Sequence, residues 1–368
     1  MRKVEYPKGA NYEQVYLAIF SNEITQLRND WDVLRTANAE LGYLPHSFDK
    51  ILTAKYSDLV TWYNTFKQLS KARKEALNKE LKKIFDYDKW NAEIAEYFKK
   101  PQNGFHISAC HYCDMAYINV FEVDPNEDAL YFLNNAADDE LQKLTKSPPR
   151  IAYIKAQRPY TNRADYNRVA AYMRWSTNKW DRTFKPNYNY RHHFDIDHVL
   201  PKSEFELVAL SLYNFVPSCQ ICNQKLKKTR VLGTNGIPKE KLSPTSPHFD
   251  FDKNTEFHVV PKSGVKPGRL RPTLHPQDYD LQLDAIDPDY DDFIKLFKLQ
   301  ERYQFHKKVA LHWQEMRTKY SDARISMMAA SLSNPSFSFK RIKSDIFQSD
   351  LYGSGSMSFE KLRRDILK

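Results

Sequence analysis

The sequence predicts an α+β protein that is mostly helical, and three observations carry that expectation. Apolar residues recur at three- and four-residue steps over residues 11–100 and again after residue 292. Between these helical flanks, short apolar or alternating runs such as Phe105-His106-Ile107, Ala116–Phe121 and Phe194–His198 read as strands. The chain's four cysteines lie beside these runs, in two pairs of one spacing.

The 368 residues are enough for two or three domains, and 41 % apolar with 28 % charged residues describes a folded chain. With only 9 glycines, collagen-like and Gly-rich architectures are excluded. Lys and Arg number 56 against 46 Asp and Glu, a formal +10 that points to a polyanionic partner. Four cysteines are too few for a secreted disulfide scaffold of this length. Met1–Phe20 carries charges throughout and no apolar core of a signal peptide, and no window approaches a membrane span. The expectation is a cytoplasmic protein with no membrane partner.

Four regions follow in order. Residues 1–100 form an N-terminal helical region. Its patterns run from Tyr12 through Leu34, from Phe48 to Leu69 and from Ala72 to Phe98, with Ser70 as an N-cap between the last two. Pro101 and Gly104 end it. Residues 101–235 form a core split by a basic insertion at about 122–192, with a helix expected from Ser218 to Arg230. Residues 236–291 are rich in Pro, Ser and Lys and then in Asp, without periodicity, and read as an irregular linker. Residues 292–368 form a C-terminal helical region, led by one long amphipathic helix to Leu332. The Asp-rich run 277–292 lacks the EF-hand spacing and reads as a solvated loop.

Cys110-His111-Tyr112-Cys113 and Cys219-Gln220-Ile221-Cys222 carry the first chemistry. A turn of that spacing aims two thiolates at one tetrahedral ion, and two turns complete a zinc site with four sulfurs. Such a closed site is structural, and His111 is not needed as a ligand. Between the pairs lie Asp195-Ile196-Asp197-His198 with Pro201 close behind, then Asn214 before an apolar run, and finally Asn223-Gln224-Lys225-Leu226-Lys227 directly after the second pair.

In that order of elements the chain resembles the HNH endonucleases, the zinc-containing branch of the ββα-metal nucleases. The resemblance covers residues 105–123 and 190–230. It implies a split ββα-metal nuclease core and metal-dependent hydrolysis of phosphodiester bonds of nucleic acid, with DNA the first expectation and RNA left open. It also implies His198 as general base, Asp197 and Asn223 as ligands of one Mg²⁺ or Mn²⁺, Asn214 as the residue pinning the loop, and Lys225 or Lys227 on phosphate. A histidine suits the base role because it is half-titrated near neutral pH, and oxygen ligands suit Mg²⁺. Asp195 either orients the strand or joins the metal shell, and His192 and His193 are secondary candidates for the base. The general plan also resembles HNH effectors of bacterial anti-phage systems such as Septu, which implies a defence role and a regulatory partner such as an ATPase.

The departure from the family is the 84-position separation of Cys113 and Asp197. Residues 146–193 hold eleven basic residues against two acids, with Tyr and Trp interleaved. Arg163, Arg168, Arg174 and Lys179 are therefore expected to contact nucleic acid, cations on phosphates and rings on bases. The alternative is a solvated helix packed on tyrosines. A zinc deaminase is excluded, since none of the 11 histidines is followed two residues later by Glu. A zinc-stabilised module that binds nucleic acid or docks a partner without catalysis is the remaining alternative.

Overall fold

The computed structural model describes residues 1–9, 11–122, 125–174, 190–233, 236–265, 275–332, 335–349 and 357–368. Helices dominate and the sheets are small, as expected for an α+β chain. The chain divides into two compact units, Met1–Asn119 with His193–Lys368, and Val120–His192.

The first unit begins with helices Ile24–Ala37, Tyr56–Lys67, Lys71–Ile84 and Tyr87–Lys99. Ser70 caps the third, its Oγ accepting from the Arg73 N–H at 3.3 Å. The pattern from Ala72 to Phe98 is two helices rather than one. Asp86 takes the Asp88 N–H at 3.1 Å and starts a new helix, while Phe85 turns fully into the core. The apolar faces bury Tyr16, Phe20, Trp31, Phe48 and Phe66 completely. Phe66 stacks on Phe205 at 4.2 Å and Tyr87 meets His198 edge-on at 4.5 Å, so these helices wall the segment that carries the Asp-His pair. Phe105–Ile107 forms no strand; local pairing there is a single bridge between Ala109 and Tyr117 that closes the first cysteine turn.

The second unit pairs β1 (Val120–Glu122) antiparallel with β2 (Tyr190–His192). Four helices, Pro125–Asn135, Asp138–Leu144, Pro148–Ala156 and Arg163–Met173, surround a core of Leu133, Leu141, Ile154, Tyr166, Val169 and Met173. Asn162 caps the last of them through bonds from Ala164 and Asp165 N–H.

The first unit resumes where the His193 N–H donates to Asn119 O at 3.1 Å. Strand β3 (Asp195–His198) pairs antiparallel with β4 (Phe215–Ser218), placing Asp197 opposite Val216 and His198 opposite Phe215. Helix Ile221–Lys227 follows at once, giving a strand–strand–helix order. It is wound wide, with Lys228 N–H reaching back five residues to Asn223 O at 2.8 Å.

Residues 236–291 are not an irregular linker. They hold β5 (Thr255–Pro261) and β6 (Tyr279–Ala285), paired antiparallel along their whole length. Tyr279, Leu281 and Leu283 are buried on one face while Asp280, Gln282 and Asp284 point the other way. The Asp-rich run is thus not one solvated loop: residues 279–285 are strand, and the run ends in a short turn at Pro288–Tyr290 and the helix from Asp291. The long C-terminal helix is also broken, into Asp291–Leu296, Leu299–Phe305, Lys307–Lys319 and Asp322–Leu332, with Lys298 in the left-handed region at φ 51°. Helix Glu360–Leu367 packs on β5, where the buried Lys361 pairs with Asp365 at 2.7 Å and donates to Thr255 O at 2.7 Å.

Candidate metal centre and active site

The four cysteines converge. Their sulfurs all lie within 4.8 Å of one another, and all four residues are buried. A tetrahedral ion about 2.3 Å from each sulfur sets the sulfurs roughly 3.8 Å apart, a spacing within that bound. The surrounding backbone is built for this. Cys110 N–H donates to Ala116 O at 3.0 Å and Cys110 O accepts from Asp114 at 2.8 Å, closing the first turn. Asp114 completes it at φ 54°, held by Arg2 Nε at 2.5 Å. Cys219 N–H points at Cys110 Sγ at 3.3 Å, and Arg302 Nη1 at Cys222 Sγ at 3.3 Å. Donors of this kind orient thiolate ligands and offset their charge. The cluster can hold a metal ion and suits structural zinc. His111 is turned away, its Nδ1 donating to Pro217 O at 2.8 Å.

Strand β3 brings two carboxylates onto one face, as residues two apart must be. They meet different partners. Asp195 Oδ2 accepts from Asn223 Nδ2 at 3.1 Å and from Gln224 Nε2 at 3.0 Å, and it is half-buried. Asp197 is buried, and its Oδ2 accepts from Tyr112 Oη at 2.5 Å and from Lys227 Nζ at 3.0 Å. Burial raises the Asp197 pKa against the pull of Lys227 and Tyr112. The two expected ion ligands, Asp197 and Asn223, meet different partners here: Asn223 meets Asp195, and Lys227, one turn further along the helix, takes Asp197. Lys227 itself is 0 % exposed and also donates to His198 O at 2.7 Å. A lysine enclosed in this way cannot reach a phosphate, so the expectation of a phosphate contact passes to the exposed Lys225.

His198 ends β3 with its ring between Tyr87 and Phe215, at 4.5 and 5.1 Å. Its Nε2 lies 3.0 Å from Ala209 O. A carbonyl can only accept, so Nε2 carries the proton and Nδ1 keeps its lone pair. Burial pushes the His198 pKa down to about 3, so the ring is neutral at neutral pH rather than half-titrated there as the sequence suggests. Asn214, fully buried, closes the loop behind it. Its side chain accepts from Leu200 N–H at 2.8 Å and donates to Leu200 O and Val208 O at 2.9 and 3.0 Å.

The basic insertion is a unit of its own, and several of its cations are engaged within it. Arg168 pairs with Asp165 at 2.7 Å, Arg163 lies over the Tyr166 ring at 4.5 Å, and Arg158 donates to Leu133 O and Ala136 O. Arg174 is exposed at the end of its helix. Lys179 lies outside the described residues. Residues that the sequence did not single out are Tyr112 and Tyr87, whose roles arise only from long-range contact. A tyrosine between two zinc-spaced cysteines was the one available signal for Tyr112.

Comparison with protein-family models, with curated proteins and with solved structures finds no match to this chain. No helix among the described residues is long and apolar enough to cross a membrane.

The buried ion pair makes a direct prediction. Lys227→Met leaves Asp197 charged, buried and without its cation, which costs about 3–5 kcal/mol. Lys227→Met combined with Asp197→Asn removes both charges and recovers most of that loss. Urea unfolding of the three proteins checks this, and an unchanged midpoint for Lys227→Met alone would contradict the pairing.

Proposed function

We propose that the protein is a metal-dependent endonuclease of the HNH type, hydrolysing phosphodiester bonds of nucleic acid, DNA before RNA, with His198 as general base. The observation that carries this reading is the Nε2 bond of His198 to Ala209 O. It fixes the tautomer in which Nδ1 is a proton acceptor, and it does so at the end of the strand that also carries Asp195. A non-catalytic zinc module has no use for a tautomer-locked imidazole.

In this reading Asp195 and Asn223 hold one Mg²⁺ or Mn²⁺, their oxygens being the donors that such hard cations prefer. That ion supplies positive charge to the scissile phosphate and the leaving oxygen. His198 Nδ1 accepts the proton of the attacking water. Lys227 holds the strand end through His198 O, and Asn214 holds the loop that presents Ala209. The four cysteines bind zinc and fix β4 and the helix against the first cysteine turn, a structural task. A role as a defence effector with an ATPase partner rests on resemblance of the general plan alone.

Incubating purified protein with supercoiled plasmid, linear duplex and RNA tests the activity. The expected result is nicked or linear plasmid that forms with Mg²⁺ and is abolished by EDTA. Absence of any ion-dependent product refutes the reading and leaves the zinc-stabilised binding module.

A further inference from the structure

A cleft of about 440 Å³ in the first unit is lined by Lys225, Arg230, Lys295 and Lys298, with Asp292 its one carboxylate among the described residues. All four cations belong to exposed residues. Lys225, Arg230 and Lys295 make no side-chain hydrogen bond or ion pair among the described residues, and Lys298 has only a long 3.9 Å approach to Glu301. Leu226, Leu232, Phe293 and Leu296 complete the walls with apolar surface. The cations come from two independent elements, the Ile221–Lys227 helix with its exit and the Asp291–Leu296 helix with its exit. Cations gathered in one cleft with a single carboxylate among them make a surface that attracts a polyanion.

We infer that this cleft, rather than the basic insertion, binds the sugar–phosphate backbone of the nucleic acid next to the cleaved bond. The inference takes its ligand class from the proposed nuclease activity and names the surface that holds the substrate. The insertion owns most of the excess charge by count, but Arg158, Arg163, Arg168 and Lys155 are engaged by carbonyls, a ring and carboxylates of their own unit. The cleft's cations are not so engaged. Lys225 also sits on the helix that carries Asn223, and a helix is only about 10–12 Å across. A strand advances about 3.4 Å per phosphate, so a substrate engaged at Asn223 reaches Lys225 within roughly three phosphates.

The test is equilibrium binding of fluorescein-labelled duplex DNA, and separately of RNA of the same sequence, in EDTA over a series of salt concentrations. In the variant combining Lys225→Gln, Arg230→Gln and Lys295→Gln, duplex affinity should fall at least tenfold. The slope of log K against log salt should drop by about 2.5–3, from roughly 0.9 per lost phosphate contact. Arg163→Gln with Arg168→Gln and Arg174→Gln should leave both quantities unchanged. All six residues have exposed or ring-stacked side chains, and matching thermal melts confirm the fold. The DNA and RNA arms show which backbone is preferred. An unchanged slope in the cleft variant, a slope lost in the insertion variant instead, or no binding of either nucleic acid by wild type overturns the inference. Binding that follows the cleft without any Mg²⁺-dependent cleavage would instead refute the nuclease reading and leave the cleft standing.

Discussion

Replacing His198 by Gln is expected to lower cleavage by on the order of a hundredfold or more, the usual worth of a general base. Glutamine keeps an N–H for Ala209 O and fills the space between Tyr87 and Phe215, but it cannot accept a proton at neutral pH. Nucleic-acid affinity in EDTA and the melting temperature should therefore stay near wild type. His198→Ala should lose as much activity and some stability besides, since it empties a packed site. Asp195→Ala should differ in kind, raising the Mg²⁺ concentration needed for half-maximal cleavage because it removes a carboxylate from the Asn223 pair. Initial rates on supercoiled plasmid across a Mg²⁺ series separate the two effects. Cleavage by His198→Gln within a few-fold of wild type would place the base elsewhere, with His193 the next residue to change.

The largest effect on stability is expected at the cysteines. Metal analysis should return about one zinc per chain, the stoichiometry of a closed four-thiolate site. Cys219→Ser, or treatment with a strong zinc chelator, should unfold the first unit. Structural zinc contributes roughly 10–16 kcal/mol of apparent binding free energy in small zinc domains, as much as an entire domain's net stability. Near-ultraviolet circular dichroism, sensitive to the stacked Tyr112–Phe297 pair, reports the loss. A metal-free protein with an unaltered spectrum would show that the cysteines pack without an ion.

The elements read most directly from the sequence were those whose signal is local. Ser70 capped its helix because a cap needs only its own side chain and the next turn. The cysteine pairs met because their spacing encodes the turn geometry, though their sequence separation is over a hundred positions. The pairing of β5 with β6 has a signal of its own in the sequence. Tyr279, Leu281 and Leu283 alternate with Asp280, Gln282 and Asp284, a period of two hidden by the density of acids around it. The break at Lys298 carries no Gly or Pro and is imposed by packing of Phe297 and Leu299 into the core. The site divides in the same way. Asn214, between its β-strand and the loop, could be picked out from its place in the motif. The exchange of partners between Asp195 and Asp197 could not, because it depends on where Lys227 and Tyr112 arrive from 30 and 85 positions away.

The bond between Asn119 and His193 closes the neck of the inserted segment with backbone atoms of the unit that carries the cysteine cluster. Whatever the chain does between those two residues, it leaves and returns at one spot. Once such a neck is closed, lengthening the loop is cheap, about 0.6 kcal/mol for each doubling. The position is thus a graft point: a segment can be exchanged, enlarged or pared back there while the cysteine cluster, β3 and the Asp-His pair keep their register. Diversification of this chain can proceed by replacing a whole module in one step, leaving the packing of the host unit untouched.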